Sequence, residues 1–434
     1  MTSTGKKIFY GWWVVASGCI LYLFGSGTVF YGFNVFFNPM IKEFGWRSSV
    51  TSGAFSMARL EGGLEGPVAG WMIDKYGARK LALIGGLITG LGFITLVLVN
   101  DNPLSLYVIF GLLSLGYNAG YQHAAMAAVA KWFIKKRSLA LSIVSAGAAI
   151  GGGLVVPGLA WLTTQYGWRT AVVVTGIVLL VLGQPVAALI KSKPEDMGLL
   201  PDGEVVAKTP TTASTEPVDL SGTKSSPASS GEIDFTIREA FKTGAFWIYN
   251  IGFMLRSGVQ SSIVLHEIPF LVQRGIDYQI AANILGIMIF VSLPGRLICG
   301  WLGDKFGKNI LLLINMLLQA IGIWIFLNAN TIGELYLFVV VFGLGYGGAI
   351  PLLFSYRADL FGRKNFATIS GIMSALAVIP TVGAPVIIGH IFDVSQSYYT
   401  SFYTLLFMTI LAGLLFLFVK RPKPPARLSN TIIG

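Results

Sequence analysis

Twelve separate runs of predominantly apolar residues, each about as long as a bilayer is thick, constrain this chain more than any other feature. They cover residues 10–36, 48–73, 80–99, 104–130, 138–163, 169–190, 244–271, 279–303, 309–328, 334–357, 365–390 and 399–419. A hydrocarbon layer of ~30 Å takes about 20 helical residues to cross. The sequence therefore predicts an all-α integral membrane protein with twelve transmembrane helices. Only 12% of its residues are charged, against about 25% in soluble domains. Cys19 and Cys299 fall in different runs, so no disulfide framework is expected. The first run lacks a small-residue cleavage site and outlasts a signal peptide, and it reads as a retained span.

A net charge of +11 would suit nucleic acid if it were clustered, but its distribution points to a membrane instead. With an even number of spans, both termini lie on one side. Counting residues at the very edge of a run with the adjoining loop, the loops on that side hold 24 of the 31 Lys and Arg residues, the opposite loops hold Lys42, Arg47, Arg169 and Arg274, and only Arg59, Arg256 and Arg296 fall within spans. By the positive-inside rule the Lys/Arg-rich side is cytoplasmic. A composition break divides the chain into an N-terminal bundle (1–190), a linker (191–243), a C-terminal bundle (244–420) and a cytoplasmic tail (421–434). The linker is rich in Ser, Thr, Pro and Gly and is expected to be largely disordered. It ends in an amphipathic stretch, 235–246, that reads as a surface helix.

The two bundles repeat. Gly70-Trp71-Met72-Ile73-Asp74-Lys75-Tyr76-Gly77 closes the second run, and Gly300-Trp301-Leu302-Gly303-Asp304-Lys305-Phe306-Gly307 closes the eighth. Gly116-Tyr117-Asn118-Ala119-Gly120 in the fourth run is echoed by Gly345-Tyr346-Gly347-Gly348 in the tenth. Repeats at matching positions predict two pseudo-symmetric six-helix bundles. The Gly-rich run 343–347 lies within a span, so it is not a nucleotide fingerprint. No metal-ligand motif or nucleophile elbow occurs, and no cofactor, metal or catalytic residue is assigned.

Charges inside the runs carry the chemistry. Arg296 interrupts an apolar run, at a cost of about 2.5–3.5 kcal/mol on insertion scales. Either a fixed carboxylate or a mobile anion must offset that cost. A carboxylate 4 Å away contributes about 4 kcal/mol at an effective dielectric near 20, and a guanidinium binds it in a planar, bidentate fashion. Glu61 and Glu65 share one face of the second run at i, i+4 spacing. They are candidates for carrying a proton, or for an internal ion pair with Arg59 or Arg256. Arg256 is read as that pair's cation, or as a second contact to the substrate.

The repeated loops resemble the signature of the major facilitator superfamily, whose fold of two six-helix bundles the resemblance implies here. The first copy is complete through Arg79-Lys80; the second ends Lys308-Asn309. Asp74, Arg79, Lys80, Asp304 and Lys305 are then expected to form a cytoplasmic gate, a charge cluster made in one state and broken in another. A narrower likeness is carried by Trp132-Phe133-Ile134-Lys135-Lys136-Arg137-Ser138-Leu139-Ala140 with Ser145-Ala146-Gly147 and Gly151, by Tyr10-Gly11-Trp12-Trp13, and by Tyr31-Gly32-Phe33-Asn34-Val35-Phe36-Phe37. These are similar to segments of the monocarboxylate transporter family, and the likeness extends to the bacterial oxalate–formate antiporter at Arg296. Arg296 stands where those proteins carry a substrate-binding Arg. Ser292 stands where animal members have an Asp tied to proton coupling, and Tyr31 where they have a Lys.

The resemblance implies a secondary carrier of small monocarboxylates of the lactate or pyruvate kind, working by alternating access with a proton, in a bacterial inner membrane. Arg296, Tyr31, Asn118, Tyr121, His123, Ser292, Tyr346 and Arg256 are the expected substrate contacts, the tyrosines as walls and His123 facing the cavity. Expected partners are a small carboxylate, a proton and the lipid bilayer. Exchange of organic anions, as in the oxalate–formate antiporter, is the alternative carrier reading, and a non-transporting sensor on the same fold is the alternative from another class.

Overall fold

In the computed structural model, residues 9–46, 48–203 and 233–425 are described. Twelve helical rods run through them: α1 (Gly11–Phe44), α2 (48–76), α3 (Ala78–Leu98), α4 (Pro103–Trp132), α5 (Arg137–Tyr166), α6 (Trp168–Leu189), α7 (Gly244–Gln273), α8 (Tyr278–Gly303), α9 (Lys308–Asn328), α10 (Ile332–Phe361), α11 (Phe366–Ser395) and α12 (Tyr399–Phe418). Ten of these are long and apolar enough to cross a membrane on composition alone. The two that fall short are α2, with Glu61 and Glu65, and α7, with Arg256 and Glu267. α2 is interrupted by a turn at Glu65 and is rich in Ser and Gly, and α7 adds Asn250, Gln260, Ser261 and Ser262 to its charges.

The halves differ in regularity. α1 and α6 each contain a π-helical turn, at Ser26–Phe30 and Leu179–Gly183, and α4 contains a longer one at Tyr117–His123. π-turns insert a residue into the α ladder and recur at functional sites. The C-terminal half has none among its described residues. The short turn joining α2 to α3 depends on Gly77, whose φ of +92° suits glycine. Its counterpart Gly307, at φ −60°, has no such need.

Packing differs too. The N-terminal half has one continuous apolar core. In the C-terminal half the core is cut in two. One part is built around Phe270, Phe326 and Phe402 and the other around Phe246, Tyr249 and Phe361. Arg256, Ser292, Arg296 and Gln319, all buried, lie between the two parts along their helices. Gln319 is satisfied by donating to the carbonyls of Asn315 and Gly345, both at 3.2 Å.

The linker departs from expectation. Residues 191–203 are ordered: Asp202 accepts from the backbone amides of Ile134 (2.9 Å) and Lys135 (2.8 Å), just before α5. On the other side, Asp234 accepts from the amides of Arg363 (2.8 Å) and Lys364 (3.0 Å), just before α11. The two acids therefore cap equivalent turns of the two halves. Residues 204–232 and 426–434, with most of the predicted disordered tract and tail, lie outside the described residues. The surface helix is shorter than predicted, only Ile237–Phe241. It is closed by a Thr236/Glu239 capping box and packs on the bundle, with Phe235 buried.

Candidate functional site

The two halves meet along two crossings, α2 with α11 and α5 with α8. Glycines set their closeness. A Cβ on Gly371 would strike the Gly66 carbonyl, and one on Gly70 would strike the Ala367 carbonyl. On the other crossing, Gly300 and Gly303 press against Ser142 and Ser138. Further along α8, on the same face as Gly300, a Cβ added at Gly286 would meet no neighbouring element within 4 Å. The seam is thus closed at the end that carries Asp74 and Asp304, and it parts beyond Arg296.

Arg296 lies where the closed part of the seam ends. It is 3% exposed and donates through Nη1 across the interface to the Ser145 carbonyl of α5, while its Nε is buried with no partner. Arg256, 5% exposed, donates to the Tyr346 carbonyl at 3.3 Å and also has an unpartnered Nε. Among the described residues neither arginine has a carboxylate in ion-pair range. The expected pairing of Arg256 with a glutamate of α2 is therefore not made: its guanidinium turns to the α10 backbone. Arg256 and Arg296 lie within electrostatic range of each other, and Tyr22 lies within range of Arg296 and Tyr346.

The carboxylates are equally unmatched. Oε2 of Glu61 and both side-chain oxygens of Glu65 are buried without partners. Glu61 points toward Gly111 of α4, and the side chain of Arg59 lies outside the described residues. Asn118 and His123 project from the π-turn of α4 onto Gly62 of α2: a Cβ there would collide with the Asn118 amide, and His123 hydrogen-bonds the Gly62 backbone. Tyr31 is half-buried against Phe30 and Gly152.

Two expected contacts are placed elsewhere. Tyr121 is fully buried inside the N-terminal bundle, its ring against Gly86 and its hydroxyl against Gly183, because the π-turn rotates it inward. Ser292 is fully buried, donates to its own helix at the Ile289 carbonyl (2.6 Å) and packs under Gly347 of α10. A small residue is needed there for α8 and α10 to touch. His266, at the far end of α7, pairs with the Pro385 carbonyl of α11 at 3.0 Å.

The charge cluster expected to form a gate has different partners in the structure. Asp74 takes an ion pair from Lys131 (2.9 Å), not from Arg79 or Lys80, and accepts from both the amide and the hydroxyl of Thr368 (2.9 and 2.8 Å) at the start of α11. Asp304 accepts from the amides of Ser138 (2.7 Å) and Leu139 (3.0 Å) at the start of α5. Each acid thus caps a helix of the opposite half, where unsatisfied amides and the helix dipole favour an anion. Burial pushes the Asp304 carboxyl above its usual range, and the two amides and Lys308 pull against that. Lys75 and Lys305 lie over the Trp71 and Trp301 rings, 4.6 and 3.7 Å from their centres. Arg137 joins Asp359 across the seam at 2.7 Å, and Lys308 binds the same carboxylate.

Residues 19–327 and 268–432 match the model of the Major Facilitator Superfamily. The chain belongs to that superfamily. This facilitator is a multi-pass membrane transporter. Among curated relatives it is similar to human monocarboxylate transporter 2, at 27% identity over 90% of this chain and 81% of that protein. It is also similar to zebrafish (Danio rerio) monocarboxylate transporter 12-B, at 24% over 93% and 86%. Two solved structures of the E. coli fucose:proton symporter share its fold at TM-scores of 0.67 and 0.68, with 14% and 15% identity, over 94% of this chain and 98% and 99% of theirs. The second of those was captured in the outward conformation.

Sequence reasoning missed three functional candidates in this facilitator. Tyr22 sits in an unbroken apolar run and gives no signal. Glu267 is fully buried with both oxygens unpartnered, and its place beside His266 near a helix end disguises that. Arg357, counted among the loop charges, is 1% exposed inside α10.

Proposed function

We propose that this protein carries small monocarboxylates of the lactate or pyruvate kind by alternating access, with a proton. One observation carries the reading: Arg296 is buried at the edge of the closed seam with no described carboxylate beside it, so an arriving anion is its natural partner. Its hydrogen bond to the Ser145 carbonyl spans the two halves, so neutralising it would alter a contact that must break as they rock. The similarity to monocarboxylate transporters supports the same substrate class. In this reading Tyr346 and Tyr22 flank the substrate, and Asn118, His123 and Tyr31 form the facing wall. Glu61 and Glu65, unpaired in α2, take the proton-carrying role that Ser292 cannot fill.

The charge asymmetry of the loops supports a cytoplasmic position for the closed, Asp74-bearing end, and on that reading this is the outward-open state of a cell-membrane carrier. A second reading is organic-anion exchange, favoured by the unpaired Arg256 within range of Arg296: two cations suit a dianion. Both are tested by a panel of radiolabelled carboxylates in proteoliposomes, with and without an imposed pH gradient, beside Arg296→Gln. Uptake driven by the gradient and abolished in the variant supports symport. Counterflow indifferent to the gradient supports exchange. Normal uptake by Arg296→Gln overturns both.

A further inference from the structure

Arg357 has no place in the mechanism above, yet its surroundings are built. It is 1% exposed, four residues before the end of α10 at the closed side of the seam. Its Nε donates to the Tyr249 hydroxyl at 3.1 Å, and that hydroxyl in turn donates to the Leu353 carbonyl at 2.8 Å. Its guanidinium lies 4.1 Å from the centre of the Phe253 ring and 5.3 Å from that of Phe354. Nη1 is buried and has no partner. The nearest acid in sequence, Asp359, is already held by Arg137 and Lys308.

Aromatic faces and a hydroxyl orient this guanidinium but do not neutralise it. Buried charges are otherwise paired or bound to an ion, and the unpartnered Nη1 leaves a charged donor for a carboxylate oxygen. Its position adds direction. Arg357 lies within electrostatic range of Arg256 in its own half and of His123 across the seam. Arg296, Arg256 and Arg357 therefore form a cationic path from the open part of the seam to the closed part.

We infer that Arg357, oriented by Tyr249 and Phe253, is a second carboxylate-binding station, covered in this state and uncovered when the opposite face opens. It rests on the reading of Arg296 as the carboxylate site, and it assigns the same substrate class a separate point of release and entry.

The test is sidedness. Right-side-out and inverted membrane vesicles from cells expressing the full chain are supplied with labelled L-lactate, and KM is measured from each face. Arg357→Gln should raise KM at least tenfold from the face that is closed here and less than twofold from the other. Tyr249→Phe, which keeps the charge and the ring, should raise it about threefold from the closed face only, and it carries the test should Arg357→Gln fail to reach the membrane. Equal shifts at both faces, or none at either, would overturn the second station. Arg296→Gln should lose transport from both faces; if it transports lactate normally, the substrate reading fails, whatever Arg357 does.

Discussion

The two halves share a repeat, a span count and a mirrored pair of gate acids, yet they divide the chemistry unequally. The C-terminal half is built from regular helices whose core is interrupted by a buried polar level, and it holds Arg256, Arg296 and Arg357. The N-terminal half has one unbroken core, three π-turns, and the unpaired Glu61 and Glu65. Apart from Glu267 near the far end of α7, the unmatched cations inside the described spans lie on one side and the unmatched acids on the other, and they would attract if they met. In the function proposed above, each instead awaits a mobile ion, an anion for the arginines and a proton for the glutamates. A duplicated scaffold can therefore stay symmetric where it must rock and become asymmetric where it must bind.

The largest effect expected from testing this division is at Arg296. Gln in its place should cut uptake on the order of 100-fold, the scale of about 3 kcal/mol for losing one partner of a buried charge pair. Wild-type abundance in the membrane would separate that loss from misfolding. If Lys restored full transport, the planar two-point contact would be wrong. Next is the crossing where Gly371 meets Gly66. Gly371→Ala should prevent this closure and shift the population toward the opposite state, seen as faster thiol labelling of a cysteine placed at Ala367, which is buried against the N-terminal core here. Unchanged labelling would mean the crossing has slack.

Asp74 and Asp304 compare the halves directly. Asp74→Asn should loosen the closed end more than Asp304→Asn, because Asp74 combines an ion pair with two Thr368 bonds. A difference of about 1 kcal/mol, or roughly fivefold in labelling rate, is expected. Equal effects would show that helix capping alone holds the gate. A smaller effect on rate, though a diagnostic one, is expected at Glu61 and Glu65. Gln at the proton-carrying position should flatten the pH dependence of uptake while leaving counterflow intact, and a normal pH profile in both variants would remove the glutamates from coupling. Least of all, Gly77→Ala should cost about 1 kcal/mol in thermal stability and Gly307→Ala close to nothing, because only Gly77 sits at positive φ.

Much of the fold was legible because a bilayer imposes length and loops carry the charge. The repeated Gly-Trp-x-x-Asp-Lys motif stood out for the same reason: it sits at helix ends. The site was only partly legible. Arg296 was conspicuous as a charge in an apolar run, but the partner of Arg256 depended on how α7 faces α10 and not on any spacing. Tyr121 was misplaced because a π-turn rotates the residues within it, and no composition marks such a turn in advance. Arg357 was mistaken for a loop residue because its aromatic cage comes mainly from a helix about 100 positions away. The linker ends read as disordered in the sequence because the amides that Asp202 and Asp234 cap belong to distant turns.

The π-turn at Tyr117–His123 has a consequence for how such a carrier changes over time. Each such turn is one residue gained without breaking the helix, and one residue corresponds to about 100° of rotation. Removing a single amino acid from between Asn118 and His123 would restore an ordinary ladder and turn the two side chains out of register with each other, so that they no longer both meet Gly62. Lineages that keep or lose that one residue would thus present different surfaces to their cargo from nearly the same text, with no substitution in the pocket at all.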